Sequence, residues 1–159
     1  MLSMDSLPAF RFSSFRYFDP GEKHIHRTFR EDVLILVMDG VLRFEEDGNA
    51  VEVGSGEYYI QRHGLEQTGI AASSTPKYFY IHFVGGFTPT AHMLPIRGHA
   101  DMAALFPLMQ QLETLRVSGA PTVQKNAVFY QILSELYNAA NSSPTRELTM
   151  KVLAIVSRD

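Results

Sequence analysis

Hydrophobic positions along the chain change their spacing near residue 100. Before that point, short apolar runs alternate with Gly, Asp and Pro, which is typical of strands joined by tight turns. After it, apolar residues recur at intervals of three and four, the period of one helix face. Strands first and helices afterwards predict an α+β fold.

The strand-like half of the chain is a series of apolar runs bounded by turn residues. Residues 33–37 (VLILV) predict a buried strand, and Asp39-Gly40 predicts a turn directly after it. Further strands are predicted at residues 41–46, 50–53, 57–61 and 77–84, with turns at Asp47-Gly48-Asn49 and Gly54-Ser55-Gly56. Short strands at this spacing predict a barrel or a jelly roll.

The last of these runs, KYFYIHFV, is an aromatic strand whose neighbouring side chains point to opposite faces. One face would carry Phe79, Ile81 and Phe83. The other would carry Tyr78, Tyr80 and His82. Rings with polar tips suit a small polar ligand such as a sugar, and Arg27 is the best-placed cation beside them. Ordinary core packing, with the hydroxyls at the rim, is the alternative.

Three helices are predicted after the strands. The first carries an apolar stripe at intervals of three and four, and Gly119-Ala120-Pro121 ends it. The second spans residues 122–140. The third begins with Ser143 as its cap, and because no stop signal precedes Asp159 we expect it to be truncated.

The first 20 residues are irregular and aromatic, with partly alternate spacing as in an edge strand. One interpretation is an arm that packs its rings on the barrel. The other is an arm that folds over a bound ligand, since chain termini are mobile unless they are tied down.

Composition and charge narrow the function classes. Of the 159 residues 45% are hydrophobic, and the net charge of -3 argues against a chain that grips a phosphate backbone by itself. The absence of cysteine excludes disulfides and thiolate zinc sites, and it fits a cytoplasmic protein. The longest apolar run, residues 33–38, is far shorter than the ~20 residues of a membrane span, so we expect no membrane partner.

Two histidines, His24 and His26, could form part of a metal site, because residues two apart on a strand point to the same face. Cupin enzymes add a Glu and a later third His, but Val33 and Gln67 fall at those two positions here. A neutral amide is a poor substitute for imidazole on a transition metal. We therefore expect no metal, no cofactor and no enzyme activity. A metal-dependent cupin enzyme, an isomerase or a dioxygenase, is the alternative.

Three segments together resemble the sensor domain of AraC-type transcription regulators. They are Arg27 with the run that ends at Gly40, the second motif from Gly48 to Gly64, and Tyr80-Ile81-His82-Phe83. The leucine-striped helix that follows resembles the dimerisation helix of that family. The resemblance covers roughly residues 20–157 of the chain.

The resemblance implies a barrel that binds an effector, often a sugar, and helices that pair two subunits. It also implies a C-terminal domain with two helix-turn-helix units, absent from this chain, through which alone DNA would be bound. By match to the family pattern, Arg27 lies at the position of a ligand-contacting Arg, and Tyr78 and Tyr80 lie at ring-bearing positions. The chain departs from the pattern at Arg62, in place of Pro, and at Gln67, in place of His.

The expected architecture is a cupin-like double-stranded β-helix (jelly-roll) barrel, followed by an antiparallel helical pair and the truncated third helix. We expect an N-terminal arm at residues 1–20, the effector-binding barrel at 21–98 and a helical dimerisation region at 99–159. The candidate ligand-binding residues are Arg27, Tyr78, Tyr80, His82, Gln67, Gln61, His24 and His26. The candidate homodimer contacts are Leu105, Leu108, Met109, Leu112 and Leu115.

Two alternatives to this interpretation stay open. The leucine stripe could pack on the barrel of its own subunit, since amphipathic helices usually face a core. The barrel could also be a scaffold for dimerisation that binds no ligand.

Overall fold

The computed structural model describes residues 1–69 and 72–142, which form strands followed by two helices. The strands are β1 (Leu2–Ser3), β2 (Ala9–Tyr17), β3 (Arg27–Thr28), β4 (Asp32–Glu46), β5 (Asn49–Gly54), β6 (Glu57–Gln61), β7 (Glu66–Thr68), β8 (Ser74–Val84), β9 (Met93–Leu94) and β10 (Arg97–His99). The helices are α1 (Met102–Val117) and α2 (Thr122–Asn141). This order confirms the predicted α+β class. The predicted third helix, from Ser143 onward, lies outside the described residues.

The longest strand, β4, runs through a position where the sequence predicts a turn. Asp39-Gly40 lies inside β4 and not between two strands, so that prediction is wrong. The pairing of β4 with β8 shifts register on both sides of Asp39, which marks a bulge. Gly40 has a φ of 72°, and a Cβ atom there would clash with the backbone oxygen of Ser74. The glycine therefore bends the strand without ending it.

The other two turn predictions are confirmed. Asp47 and Gly48, both with positive φ, connect β4 to β5 where Glu46 pairs with Asn49. Ser55 and Gly56 connect β5, which ends at Gly54, to β6. Strand β6 has the predicted bounds, Glu57–Gln61.

The described strands pair antiparallel throughout, and the large sheet is organised around β4. The first half of β4 lies between β6 and β8, while the second half pairs with β5 and β7. Further out, β10 pairs with β6, β2 with β8, and β3 with β7. Because β4 bends at its bulge, side chains from four strands meet on one face and form the interior of the predicted barrel.

The sheet buries both of its faces, so the described residues form two hydrophobic cores. The interior core holds Phe18, Val33, Ile35, Val37, Leu42, Phe44, Val51, Val53, Tyr59 and Tyr78. The outer core lies between the sheet and the helices, and its sheet members include Leu34, Leu36, Tyr58, Ile60, Phe79, Ile81 and Phe83. Alternation along β8 assigns Tyr78 to the interior and Phe79 to the helices, as the sequence predicts.

Much of the N-terminal arm is part of the sheet. Strand β2 pairs with β8 from Ala9 to Tyr17, with one irregularity between Phe10 and Phe12. Strand β1 pairs with β9 in a small second sheet. The rings of Phe10 and Phe15 pack on the outer core, which agrees with the packing interpretation of this segment.

The two helices cover the outer face of the sheet and contact each other. Asp101 caps α1 by accepting hydrogen bonds from the backbone amides of Ala103 and Ala104. Residues 118–121 connect α1 to α2, where Gly119 has a φ of 69°. Neither described helix has both the length and the apolar character needed to cross a membrane.

Three members of the leucine stripe belong to the core of their own chain. Leu105, Met109 and Leu112 are 0–1% exposed and pack against the sheet and α2. Their assignment to a dimer interface is corrected on this ground, because a buried side chain offers no surface to a second copy. Leu108 and Leu115 lie at the edge of this core and are only partly buried.

We predict that Leu112→Ala destabilises the fold of the single chain. Loss of a fully buried leucine side chain leaves a cavity and lowers the free energy of unfolding by about 2 to 5 kcal/mol. Urea denaturation followed by circular dichroism measures this change. Thr114→Ala, an exposed position on the same helix, is the control and should change the free energy of unfolding by less than ~0.5 kcal/mol. Equal stability of both variants would contradict a core position for Leu112.

Candidate functional site

A cavity of about 140 Å³ lies on the interior face of the sheet. Its walls come from the end of β2, the segment that leads into β3, the first half of β4 and the middle of β8. The residues that line it are Arg16, Phe18, Glu22, Lys23, His24, Ile25, Arg27, Val33, Ile35, Tyr78 and Tyr80. The cavity thus combines an apolar floor with several polar groups, which is the usual composition of a small-molecule site.

Arg27 is the most unusual group in this wall. Its Nε atom is buried and has no hydrogen-bond partner among the described residues. The guanidinium lies 3.8 Å from the ring centroid of Phe29, a cation–π contact. No salt bridge joins Arg27 to a carboxylate within residues 1–69 and 72–142. Burial lowers the pKa of Arg27, but a guanidinium remains charged at neutral pH.

Two tyrosines of β8 form the wall beside Arg27. The rings of Tyr78 and Tyr80 are 6.2 Å apart between centroids, and the ring of Phe18 meets Tyr78 edge-on at 5.8 Å. Burial raises the pKa of Tyr78 to about 12, so its hydroxyl keeps its proton and can donate a hydrogen bond. In the described part of the chain neither hydroxyl is hydrogen-bonded to another residue.

His24 lines the cavity in its neutral form. Its Nδ1 atom lies 2.8 Å from the backbone oxygen of Ile25, and because a carbonyl only accepts, Nδ1 carries the proton. Its Nε2 atom then accepts from the amide of Gln61 at 3.4 Å. Burial, reinforced by the charges of Arg27 and Arg16, lowers the pKa of His24 to about 4.

A chain of buried hydrogen bonds continues from His24 into the barrel. The Gln61 amide donates to the Gln67 side-chain oxygen at 3.0 Å, and the Gln67 amide donates to Glu46 at 2.7 Å. The hydroxyl of Tyr59 donates to the other oxygen of Glu46 at 2.8 Å. Since a carboxylate only accepts hydrogen bonds, Glu46 fixes which group donates and which accepts in each hydrogen bond of this series. One acceptor is left over, the Oε1 atom of Gln61.

The structure brings some of the predicted ligand-binding residues together and separates others. Arg27, Tyr78, Tyr80 and His24 share the cavity wall. Gln61 and Gln67 do not line the cavity, and Gln61 contacts it only through His24.

His82 also lies outside the cavity wall, although it is on the same face of β8. Its imidazole is 3.3 Å from Glu31 and meets the rings of Phe29 and Tyr80 edge-on. Burial lowers the pKa of His82. Its contacts therefore support the ring of Phe29, on which Arg27 lies.

The geometric premise of the histidine metal pair is wrong. His24 and His26 lie before β3 and not on a strand. The side chain of His24 is buried, whereas that of His26 is 68% exposed beside Glu66. The two imidazoles thus occupy different environments, one buried and one exposed. Within the described residues, no group of three His, Cys, Asp or Glu side chains is placed to hold a metal ion.

Several residues of the site were missed by reasoning from the sequence. Arg16 and Phe18 reach the cavity because β2 ends beside it, and Glu22 and Lys23 because the next segment crosses it. The Arg-x-Phe alternation before Asp19 was a usable signal for the first two. Glu46 gave no signal, because a charged residue at the end of a strand is usually exposed.

We predict that His24 makes stability depend on pH between about 6.5 and 4. The unfolded chain binds a proton on this histidine below its ordinary pKa, whereas the folded chain resists protonation until about pH 4. The contribution of His24 to the free energy of unfolding is therefore fully present above pH 6.5. It is lost as pH falls toward 4, and it amounts to on the order of 3 kcal/mol. His24→Asn should flatten the slope in urea denaturation across this range. His26→Asn, at an exposed position, should keep it, and identical slopes in both variants would contradict the burial of His24.

The chain is similar to part of one curated bacterial regulator. It is 31% identical over 84 residues to the uncharacterized HTH-type transcriptional regulator YisR of Bacillus subtilis (strain 168). The match covers 52% of this chain and 29% of YisR, so the chain spans less than a third of that relative. No protein-family model matches the chain.

Solved structures that are similar to this chain share little of its sequence. The protein YhaK of Escherichia coli has a TM-score of 0.44 and 16% identity, covering 57% of this chain and 41% of its own. A cupin protein of Bacteroides fragilis has a TM-score of 0.36 and 16% identity, and the match covers 51% of this chain and 69% of that protein. A variant of oxalate decarboxylase from Bacillus subtilis has a TM-score of 0.39 and 14% identity, and the match covers 70% of this chain and 29% of that enzyme. The similarity that bears on function is thus the partial one to a helix-turn-helix transcriptional regulator.

Proposed function

We propose that this chain is the effector-sensing and dimerisation part of an AraC-type transcription regulator. In this proposal the barrel cavity binds a small polar ligand such as a sugar. The helices pair two copies, and a helix-turn-helix domain elsewhere in the full-length protein binds DNA.

The observation that carries the proposal is the set of unengaged polar groups on the cavity wall. Among the described residues the Nε atom of Arg27 is buried without a hydrogen-bond partner, and the hydroxyls of Tyr78 and Tyr80 make no hydrogen bond to another residue. Buried polar groups are normally satisfied, and an exception needs a reason. A bound polar molecule supplies that reason, and the partial similarity to a transcriptional regulator favours a sensor over a catalyst.

Strand β2 offers a physical connection between the cavity and the helices. Its end contributes Arg16 to the cavity, while its Phe15 ring lies 6.1 Å from that of Phe106 on α1. Its Phe10 backbone amide donates to the side-chain oxygen of Asn126 on α2 at 2.8 Å. A ligand that prefers one position of β2 would therefore shift the helices with it, because coupling requires different affinities for two states.

The binding of a polar ligand at the cavity is tested by thermal denaturation with neutral sugars and sugar acids. A ligand that binds only the folded chain raises its stability by RT ln(1 + [L]/Kd), about 2.7 kcal/mol at a hundredfold excess over Kd. We expect at least one probe to raise Tm and the Tyr78→Phe, Tyr80→Phe double variant to reduce that shift.

Tyr17→Phe is the control for this test, because Tyr17 is 58% exposed and does not line the cavity. The same probe should raise the Tm of Tyr17→Phe by as much as it raises the Tm of the wild type. If no probe raises Tm, the barrel is a scaffold for dimerisation that binds no sugar-like ligand, and the proposed sensing function is contradicted.

Dimerisation is tested on the stripe residues that remain partly exposed. Leu108 and Leu115 are seven positions apart and share one face of α1. We expect light scattering to give twice the chain mass for the wild type and the single-chain mass for a Leu108→Gln, Leu115→Gln variant with unchanged circular dichroism. Val123→Gln, at a 74% exposed position of α2, is the control and should stay dimeric. A wild type that is monomeric at every concentration would contradict a homodimer.

A further inference from the structure

We infer that the ligand of the barrel cavity is an anion, a small hydroxylated carboxylic acid whose carboxylate binds the guanidinium of Arg27. This inference rests on the proposed sensing function and names the chemical class of the ligand. It replaces a neutral sugar with an acidic molecule of similar size.

The charges around the cavity favour a negative guest. Three cationic side chains, Arg16, Lys23 and Arg27, line the cavity with a single carboxylate, Glu22. Glu22 is already engaged by Arg16, whose Nη2 atom lies 2.5 Å from the carboxylate oxygen. His24, a further ionisable group of the wall, stays neutral because burial and the neighbouring arginines lower its pKa. The wall therefore keeps a surplus of positive charge.

Arg27 is the group that a carboxylate would satisfy. The Arg27 side chain is partly buried, its Nε atom is buried without a partner, and a guanidinium matches the planar geometry of a carboxylate with paired hydrogen bonds. In the described residues the guanidinium has a ring face as its neighbour, Phe29, and no acidic group. A neutral sugar could bond to the Nε atom but would leave the charge without a counterion.

Two other buried polar side chains of the barrel interior are fully hydrogen-bonded, unlike Arg27. Glu46 accepts hydrogen bonds on both oxygens, and Gln67 is engaged at both ends of its amide. Among the described residues the buried polar atoms without a partner are Ser13 Oγ, Arg27 Nε and Gln61 Oε1, and the last two belong to the barrel interior. Of these two atoms, Arg27 Nε belongs to the cavity wall, whereas Gln61 contacts the cavity only through His24.

Other side chains of the cavity wall indicate the chemistry of the rest of the ligand. The hydroxyls of Tyr78 and Tyr80 can bond to hydroxyl groups, and the rings of Phe18 and Tyr78 can stack on C–H surfaces. The volume of about 140 Å³ is below the ~300 Å³ at which pockets for drug-sized ligands begin. A molecule of the size of one sugar acid is consistent with both features.

The test compares matched acid and neutral probes on the wild type and on Arg27→Met. The probe pairs are D-galacturonate with D-galactose, D-glucuronate with D-glucose, and acetate with acetamide, at constant ionic strength. We expect the acids to raise the Tm of the wild type more than their neutral partners do. Arg27→Met should bind the acids roughly 10- to 100-fold more weakly.

A second readout needs no ligand. If Arg27 is kept for an anion, removing its unpaired charge should raise the Tm of the free protein by about 2 to 4 °C. Arg11→Met is the control, because Arg11 is exposed on β2 and does not line the cavity. It should leave both Tm and acid binding unchanged.

The possible outcomes separate this inference from the proposed function. If neutral sugars bind as well as their acids, and the probes still raise the Tm of Arg27→Met, the inference of an anionic ligand is overturned. The proposed sensing function would then stay intact. No response to any probe, with Arg27→Met less stable than the wild type, would show that Arg27 is a structural cation packed on Phe29. That result would contradict both.

Discussion

The strip of sheet formed by β4 and β8 is buried on both faces, and the rest of the structure depends on this constraint. Alternate side chains of each strand must satisfy two different environments, the barrel interior and the layer under the helices. Phe79, Ile81 and Phe83 are fully buried against the helices, so their neighbours are directed to the interior. A shift of one residue would exchange the two faces, which is why the register of this strip is strongly specified.

The same constraint explains where polar groups can be placed. On the interior side, Glu46, Gln67 and Tyr59 form a closed set of hydrogen bonds in which each buried group finds a partner. Arg27 and Tyr78 face open volume, where water or a guest can complete their bonding. The barrel interior therefore has a packed part around Glu46 and an open part at the cavity, where Arg27 lies. In small barrels the open part is where a ligand can bind.

Local patterns predicted much of this fold, because they reflect physics that acts within a few residues. The alternation along β8, the bounds of β6 and nearly the full length of α2 follow from side-chain periodicity and turn residues. Four of the candidate ligand-binding residues, Arg27, Tyr78, Tyr80 and His24, line one cavity.

What the sequence could not predict depends on contacts between distant segments. Gly40 resembles a turn glycine, but its role is set by the backbone of Ser74. The spacing of His24 and His26 resembles that of a pair on a strand, but the segment that holds them lies between β2 and β3 and is not a strand. The leucine stripe of α1 could face either a partner or its own sheet, and only the position of the outer core decides between them.

The unpaired guanidinium inside the barrel is the feature on which the functional account depends. A high-resolution crystal structure of the chain with D-galacturonate tests it most directly. The account predicts density for the acid in the cavity, with its carboxylate against Arg27 and its hydroxyls near Tyr78 and Tyr80. Arg27 paired with a carboxylate of the chain itself, in an interior filled by side chains, would contradict it.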